Sequence, residues 1–200
     1  KNPEPPLLKT KAPIIYVPFA PGGGKTRLLQ ALCEPRGGNI DELNGDARVV
    51  RGALDSTGLP EDFLHAMGNA IGIPVTFNSR QQCDRSLPTD REGARTALAA
   101  RVFHSYFVKE KWSAFARHTQ FNVVLGNVLE AILADLRPDQ HVLLCVDEMI
   151  LGAETNGTSQ DQITEGMKSL IGQLGDVLED MPRVHVICSS LARTSVDKAS

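Results

Sequence analysis

The sequence predicts an α/β fold in which a parallel sheet is covered by helices on both faces. Three observations point there. Short apolar, β-rich runs alternate with helical stripes; the strongest runs read as strands buried on both faces; and 200 residues with 42% hydrophobic side chains suffice for one substantial core. Residues 1–12 read as an extended, proline-rich lead-in, because Pro3, Pro5 and Pro6 cannot donate to a ladder. The remainder, 13–200, reads as one domain with an insertion-rich region over about 36–118.

Within that domain, Ile14–Phe19 is the first buried strand. Thr26–Cys33 is the first helix, ended by Pro35 and Gly37. Glycines break the chain from 36 to 72, with a short helix expected over Pro60–Ala70. Ile73–Asn78 is the second strand, with Pro74 at its start. Thr89 and Glu92 have capping-box spacing and open a helix expected to run to about Arg117. Another helix is expected from about Gln120, with Phe121, Val124, Leu125, Val128, Ile132 and Leu136 on one face, stopping at Arg137-Pro138. His141–Val146 is the clearest buried strand and ends on Asp147-Glu148. A loop follows, and then Ser159 and Gln162 cap a helix whose stripe is Ile163, Met167, Leu170, Ile171, Leu174, Val177 and Leu178. Val184–Cys188 is the last strand and ends on Ser189-Ser190.

Composition narrows the function. Lys plus Arg total 21 and Asp plus Glu 24, a formal net charge of −3, which argues against dominant attraction to nucleic acid or a membrane. The acidic stretch 118–182 reads as solvated helix faces. The longest apolar run, Val142–Val146, is far short of the roughly 20 residues that cross a bilayer. Cys33, Cys83, Cys145 and Cys188 form no Cys-x-x-Cys pair and have no histidine at ligand spacing, so zinc is not supported and a reducing, intracellular compartment is expected.

The chemistry starts at Ala20-Pro-Gly-Gly-Gly-Lys-Thr26, between the first strand and the first helix. Phosphate oxygens need close backbone N–H groups, which Gly22, Gly23 and Gly24 after Pro21 can supply. The helix end adds a positive dipole, Lys25 can reach the β and γ phosphates, and the Thr26 hydroxyl can ligate Mg²⁺. The strict pattern Gly-x-x-x-x-Gly-Lys-Ser/Thr is incomplete, since Phe19 occupies the first glycine position. Asp147 and Glu148 end a buried strand, where open α/β sheets bind ligands. There Asp147 can hold the Mg²⁺ shell and Glu148 can orient or deprotonate a water.

With these residues on the page, the chain resembles the P-loop NTPases, in the division with a catalytic glutamate that includes AAA+ and STAND-type ATPases. The resemblance spans about Ile14 to Ser190 and implies a three-layer αβα fold that binds and hydrolyses ATP with Mg²⁺. Ala20–Thr26 is similar to the Walker A loop, with Pro21, Gly22, Gly23, Gly24, Lys25, Thr26 and Arg27 on the nucleotide. Val142–Glu148 is similar to the Walker B strand, with Thr26 and Asp147 on the metal. Val186–Ser190 is similar to the sensor strand, where Ser189 or Ser190 would act beside Lys25 and Glu148. More narrowly, Pro18–Arg27, Val75–Asn78, Ala100–Phe107 and Leu144–Glu148 resemble Crinkler and retrotransposon-hot-spot NTPases. That match implies an effector or nuclear role, with nucleic acid reached only through further domains.

AAA+-like sheets continue past the sensor strand, so a sheet truncated at its carboxyl end is expected. A partner or a second copy is expected to supply an arginine finger, with Arg101, Arg117 and Arg193 considered in cis. His65, His104, His118, His141 and His185 read as surface or packing residues, and Trp112 with Tyr106 and Phe107 as helix core. Two alternatives stand beside hydrolysis: a nucleotide-gated switch that rarely hydrolyses, and a small-molecule kinase. Glu148 disfavours the kinase, which must exclude attack by water.

Overall fold

The computed structural model describes residues 14–18, 25–33, 66, 69–78, 81, 84, 86–91, 93–153 and 159–190. Its apolar runs form four strands: β1 (Ile15–Pro18), β2 (Ala70–Thr76), β3 (His141–Asp147) and β4 (Val184–Ser190). They lie in the order β1-β4-β3-β2, every pair parallel. The fold is therefore α/β with a parallel sheet. β3 is central and, apart from His141, buried throughout, as its unbroken apolar run requires. Among the described strands β2 has one neighbour, and Pro74 is tolerated there because its missing donor costs no ladder bond on the free side.

The period of two along each strand separates two cores. Val142, Leu144 and Val146 join Val184, Val186, Cys188, Ile73 and Val75 in the larger core, beneath helices α3 (Ala94–Phe107), α5 (Leu125–Asp135) and α7 (Gln160–Asp180). Leu143, Cys145 and Ile187 face the other way, onto Leu29 and Leu32 of α1 (Lys25–Cys33). Helices thus cover both faces. α1 sits very low on β2, since a Cβ built at Gly72 would lie 2.1 Å from the Cys33 Cα. In α7, Ser159 and Gln162 form the expected capping box, and Met167, Leu170, Leu174, Val177 and Leu178 are buried along one stripe.

Several expectations are corrected. The helix expected over Thr89–Arg117 is three helices: α2 (Pro88–Arg91), α3, and α4 (Trp112–His118). Tertiary contacts explain both breaks. Gly93, at φ 115, turns the chain so that Asp90 of α2 reaches the fully buried Arg101 guanidinium at 2.6 and 3.1 Å. Gln81 and Ala97 carbonyls accept from the same group, and Phe77 and Trp112 lie against it at 4.6 and 4.5 Å. The chain is extended at Val108 and Lys111, so α4 can fold Phe115 back onto Phe103 and His104. Thr89 consequently lies inside a short helix instead of capping a long one.

The next helix starts at Leu125, not near Gln120. Phe121 is buried against Phe103 from the segment that precedes the helix, and Val124 is 61% exposed, off the apolar face. After Glu148 the chain forms α6 (Met149–Ala153), where a loop was expected. Strand β2 begins at Ala70, so a helix cannot extend to that residue, and the rest of Pro60–Ala70 lies mostly outside the described residues, as does 1–12.

Candidate functional site

Asp147 is the last residue of β3, and the alternation that turns Leu143 and Cys145 toward α1 turns Asp147 the same way. Ser189 shares that face two residues after Ile187. Thr26 lies in the first turn of α1, whose N-terminus points to the carboxyl ends of these strands. The three meet. Thr26 Oγ1 donates to Asp147 Oδ2 at 2.6 Å, and Ser189 Oγ donates to Asp147 Oδ1 at 2.5 Å.

Asp147 is only 4% exposed and Ser189 1%. Burying a carboxylate is costly, and the two short O–H···O⁻ bonds together with the positive end of α1 offset that cost. The arrangement sets a carboxylate and two hydroxyl oxygens beside the first turn of a helix, a set of hard oxygen donors next to an anion-attracting helix end. Such donors fit Mg²⁺, which takes one or two protein oxygens and completes its shell with water and phosphate. Among the described residues, no group of three or more His, Cys, Asp or Glu is placed to hold a metal ion.

No family model, no curated protein and no solved structure matches the chain.

The remaining expected site residues divide. Glu148 follows Asp147 but is 4% exposed and stands at φ 54, a left-handed conformation that costs a non-glycine residue about 1 kcal/mol or more. Its carbonyl accepts from Leu151 N at 2.9 Å, so the unusual backbone opens α6. Lys25 begins α1 and Arg27 is exposed in its first turn. Pro21, Gly22, Gly23 and Gly24 lie outside the described residues, as do Arg193 and the side chains of Lys25 and Ser190. Arg101 cannot serve as a finger, because its guanidinium is consumed in the buried network with Asp90. Arg117 is exposed on α4. Cys188, adjacent to Ser189, is inert core: burial pushes its thiol up to about 12.

A cavity of about 620 Å³ opens beside the cluster, with Thr26, Asp147 and Thr76 among its lining residues and Lys111 and Ser113 at the start of α4. Glu148 is not among those residues. Gln81 and His104 form part of the wall. His104 Nε2 lies 2.9 Å from the Glu110 carbonyl, which can only accept, so that nitrogen carries the hydrogen, and Nδ1 accepts from Gln81 Nε2 at 3.4 Å. Gln81 Oε1 in turn accepts from Thr76 N. Sequence reasoning placed His104 and Trp112 as packing residues and overlooked this wall; no local motif marks residues that meet only through the turn between α3 and α4.

Away from this end, His141 and His185 also pair, Nδ1 to Nε2 at 3.0 Å with rings stacked. Neither was expected to find a partner. The one available signal was a histidine near the start of each of two buried strands.

Proposed function

We propose that the chain is a P-loop ATPase module, binding ATP with Mg²⁺ at the Thr26–Asp147–Ser189 cluster and hydrolysing it to drive or gate a conformational change in a larger protein. One observation carries the reading: the Thr26 hydroxyl bonds the Asp147 carboxylate across 121 positions of sequence. The two residues that the sequence assigns to one metal, from two unconnected motifs, share a hydrogen bond. When bound, Mg²⁺ neutralises charge between the β and γ phosphates. Thr26 and Asp147 are the residues that would hold it.

In this reading the glycines of the loop and the N–H groups of α1 hold the phosphates, and Lys25 balances their charge. Ser189 fixes the second Asp147 oxygen. Glu148 accepts the proton of the attacking water, as a carboxylate at the end of a buried strand can. Arg101 being consumed, a cation from a second copy or a partner would complete the site, and supplying one is worth roughly 10³–10⁵ in rate. An effector or nuclear role follows only from the narrower resemblance to Crinkler-type NTPases.

A second reading, a nucleotide-gated switch with little hydrolysis, is favoured by the burial of Glu148 and its place outside the cavity wall. ATP affinity with and without Mg²⁺, read beside phosphate release, separates these. Folded Lys25→Ala protein should lose most ATP affinity; undiminished binding removes the proposal. Glu148→Gln should keep ATP and lower turnover about a hundredfold. Wild-type turnover no faster than that of Glu148→Gln gives the case to the switch.

A further inference from the structure

The cavity beside Asp147 is larger than a phosphate site requires. At about 620 Å³ it falls in the size range of sites for small organic molecules. Its lining comes from α1, β2, β3, α4 and the Gln81–His104 wall, and includes no described residue of β1 or β4. In the nucleotide reading the loop after β1 takes the α and β phosphates and the Thr26–Asp147 pair takes the β and γ end. The cavity therefore lies beyond the γ-phosphate, on the side away from the nucleoside.

Its walls have two characters. Pro74 stands exposed, and the edges of Trp112, Val75 and Leu29, each otherwise buried, complete an apolar, partly aromatic lining. Lys111 and Ser113 stand exposed at the rim, and among the described residues Lys111 has no ion-pair partner. Both ring nitrogens of His104 already face protein partners, Nε2 at 2.9 Å from the Glu110 carbonyl and Nδ1 at 3.4 Å from Gln81 Nε2. Lys111 is thus the formal cation of the described lining. The opposing charge, Asp147, is nearly buried and held by two hydroxyls.

We propose that this cavity binds a small organic anion with an apolar, ring-sized body, its charge on Lys111 and its body against Pro74 and the edge of Trp112, beside the nucleotide and not in its place. The inference rests on the nucleotide reading only for which side of Asp147 the γ-phosphate takes. Charge and shape select the ligand together: the apolar wall holds the body, and the lysine discriminates among bodies of equal size.

Trp112 is the sole tryptophan of the chain, so its fluorescence reports occupancy. Naphthoate, naphthalenemethanol and naphthylmethylammonium present one body with negative, neutral and positive charge. Naphthoate should quench Trp112 saturably and bind about fivefold tighter than the alcohol, the scale of one partly exposed ion pair, with the ammonium weakest. Lys111→Met should abolish that order while leaving the alcohol unchanged, and Lys109→Met, outside the lining, should preserve it. Equal binding of all three probes, or an anion preference that survives Lys111→Met, overturns the proposal. So does competition between naphthoate and ATP with Mg²⁺. ATP affinity measured calorimetrically on the same samples keeps the two ideas apart: absent ATP binding removes the nucleotide reading alone, and absent naphthoate selectivity removes this one alone.

Discussion

On the α1-facing side of β3 and β4, a polar pair stands at each end of one apolar patch. At the amino end His141 and His185 share a hydrogen bond at 3.0 Å; at the carboxyl end Ser189 donates to Asp147 at 2.5 Å. Between them lie Leu143, Cys145 and Ile187. The strands and the face are the same, yet the two ends do different things. The amino-end pair is two weak bases, half-buried, at the end of the strands away from the α1 N-terminus. The carboxyl-end pair is an anion under the N-terminus of α1, with a further hydroxyl from Thr26. The helix direction, set by the parallel connection, makes one end suited to anion and metal chemistry and leaves the other responsive to protons.

The comparison can be broken first at the carboxyl end. Asp147→Ala should weaken Mg²⁺-dependent ATP binding on the order of a hundredfold, measured by titration with and without Mg²⁺, and leave the acid response of the histidine pair in place. If the acid response vanished too, the two ends would not be independent. Ser189→Ala is the next largest. It deprives a buried carboxylate oxygen of its donor and should cost about 1.5–3 kcal/mol, read as a lower denaturation midpoint at unchanged slope.

The smallest effect belongs to the amino end. Burial, and secondarily the charge on His141, hold the His185 imidazole below its ordinary value of 6.5. The unfolded chain then binds its proton at higher pH than the folded one, so this contribution is complete above about 6.5 and is lost as pH falls through the lowered folded value. Thermal melts should show Tm level above neutrality and declining on the acid side, with the decline reduced in His185→Gln.

How much of this was legible follows from where each signal resides. The strands and their polar ends could be read because a buried parallel strand writes an unbroken apolar run into the sequence. Asp147, Ser189 and Thr26 were nominated for the same reason, each at the edge of such a run or of the glycine loop. The order β1-β4-β3-β2, which brings Ser189 to Asp147, is a pairing choice that no single run encodes. The helix expected from Thr89 to Arg117 failed because its break points serve Arg101, whose demand for Asp90 and the Gln81 carbonyl is tertiary. The left-handed backbone at Glu148 was hidden likewise: nothing in Asp-Glu-Met announces that a helix will start at once. Lys111 and the cavity escaped because they depend on the chain doubling back between α3 and α4.

The close seat of α1 on Gly72 bears on a hydroxyl at the opposite end of that helix. α1 touches β2 at Cys33, is buried at Leu29 and delivers Thr26 roughly 10 Å away along its axis. It resembles a beam resting on a fulcrum at Leu29. A methyl group at position 72 has no space beneath Cys33, so it would raise that end of the beam and swing the other. A hydrogen bond of 2.6 Å tolerates a displacement of only a few tenths of an ångström. The aim of Thr26 is therefore held from afar, by the absence of a side chain on a neighbouring strand.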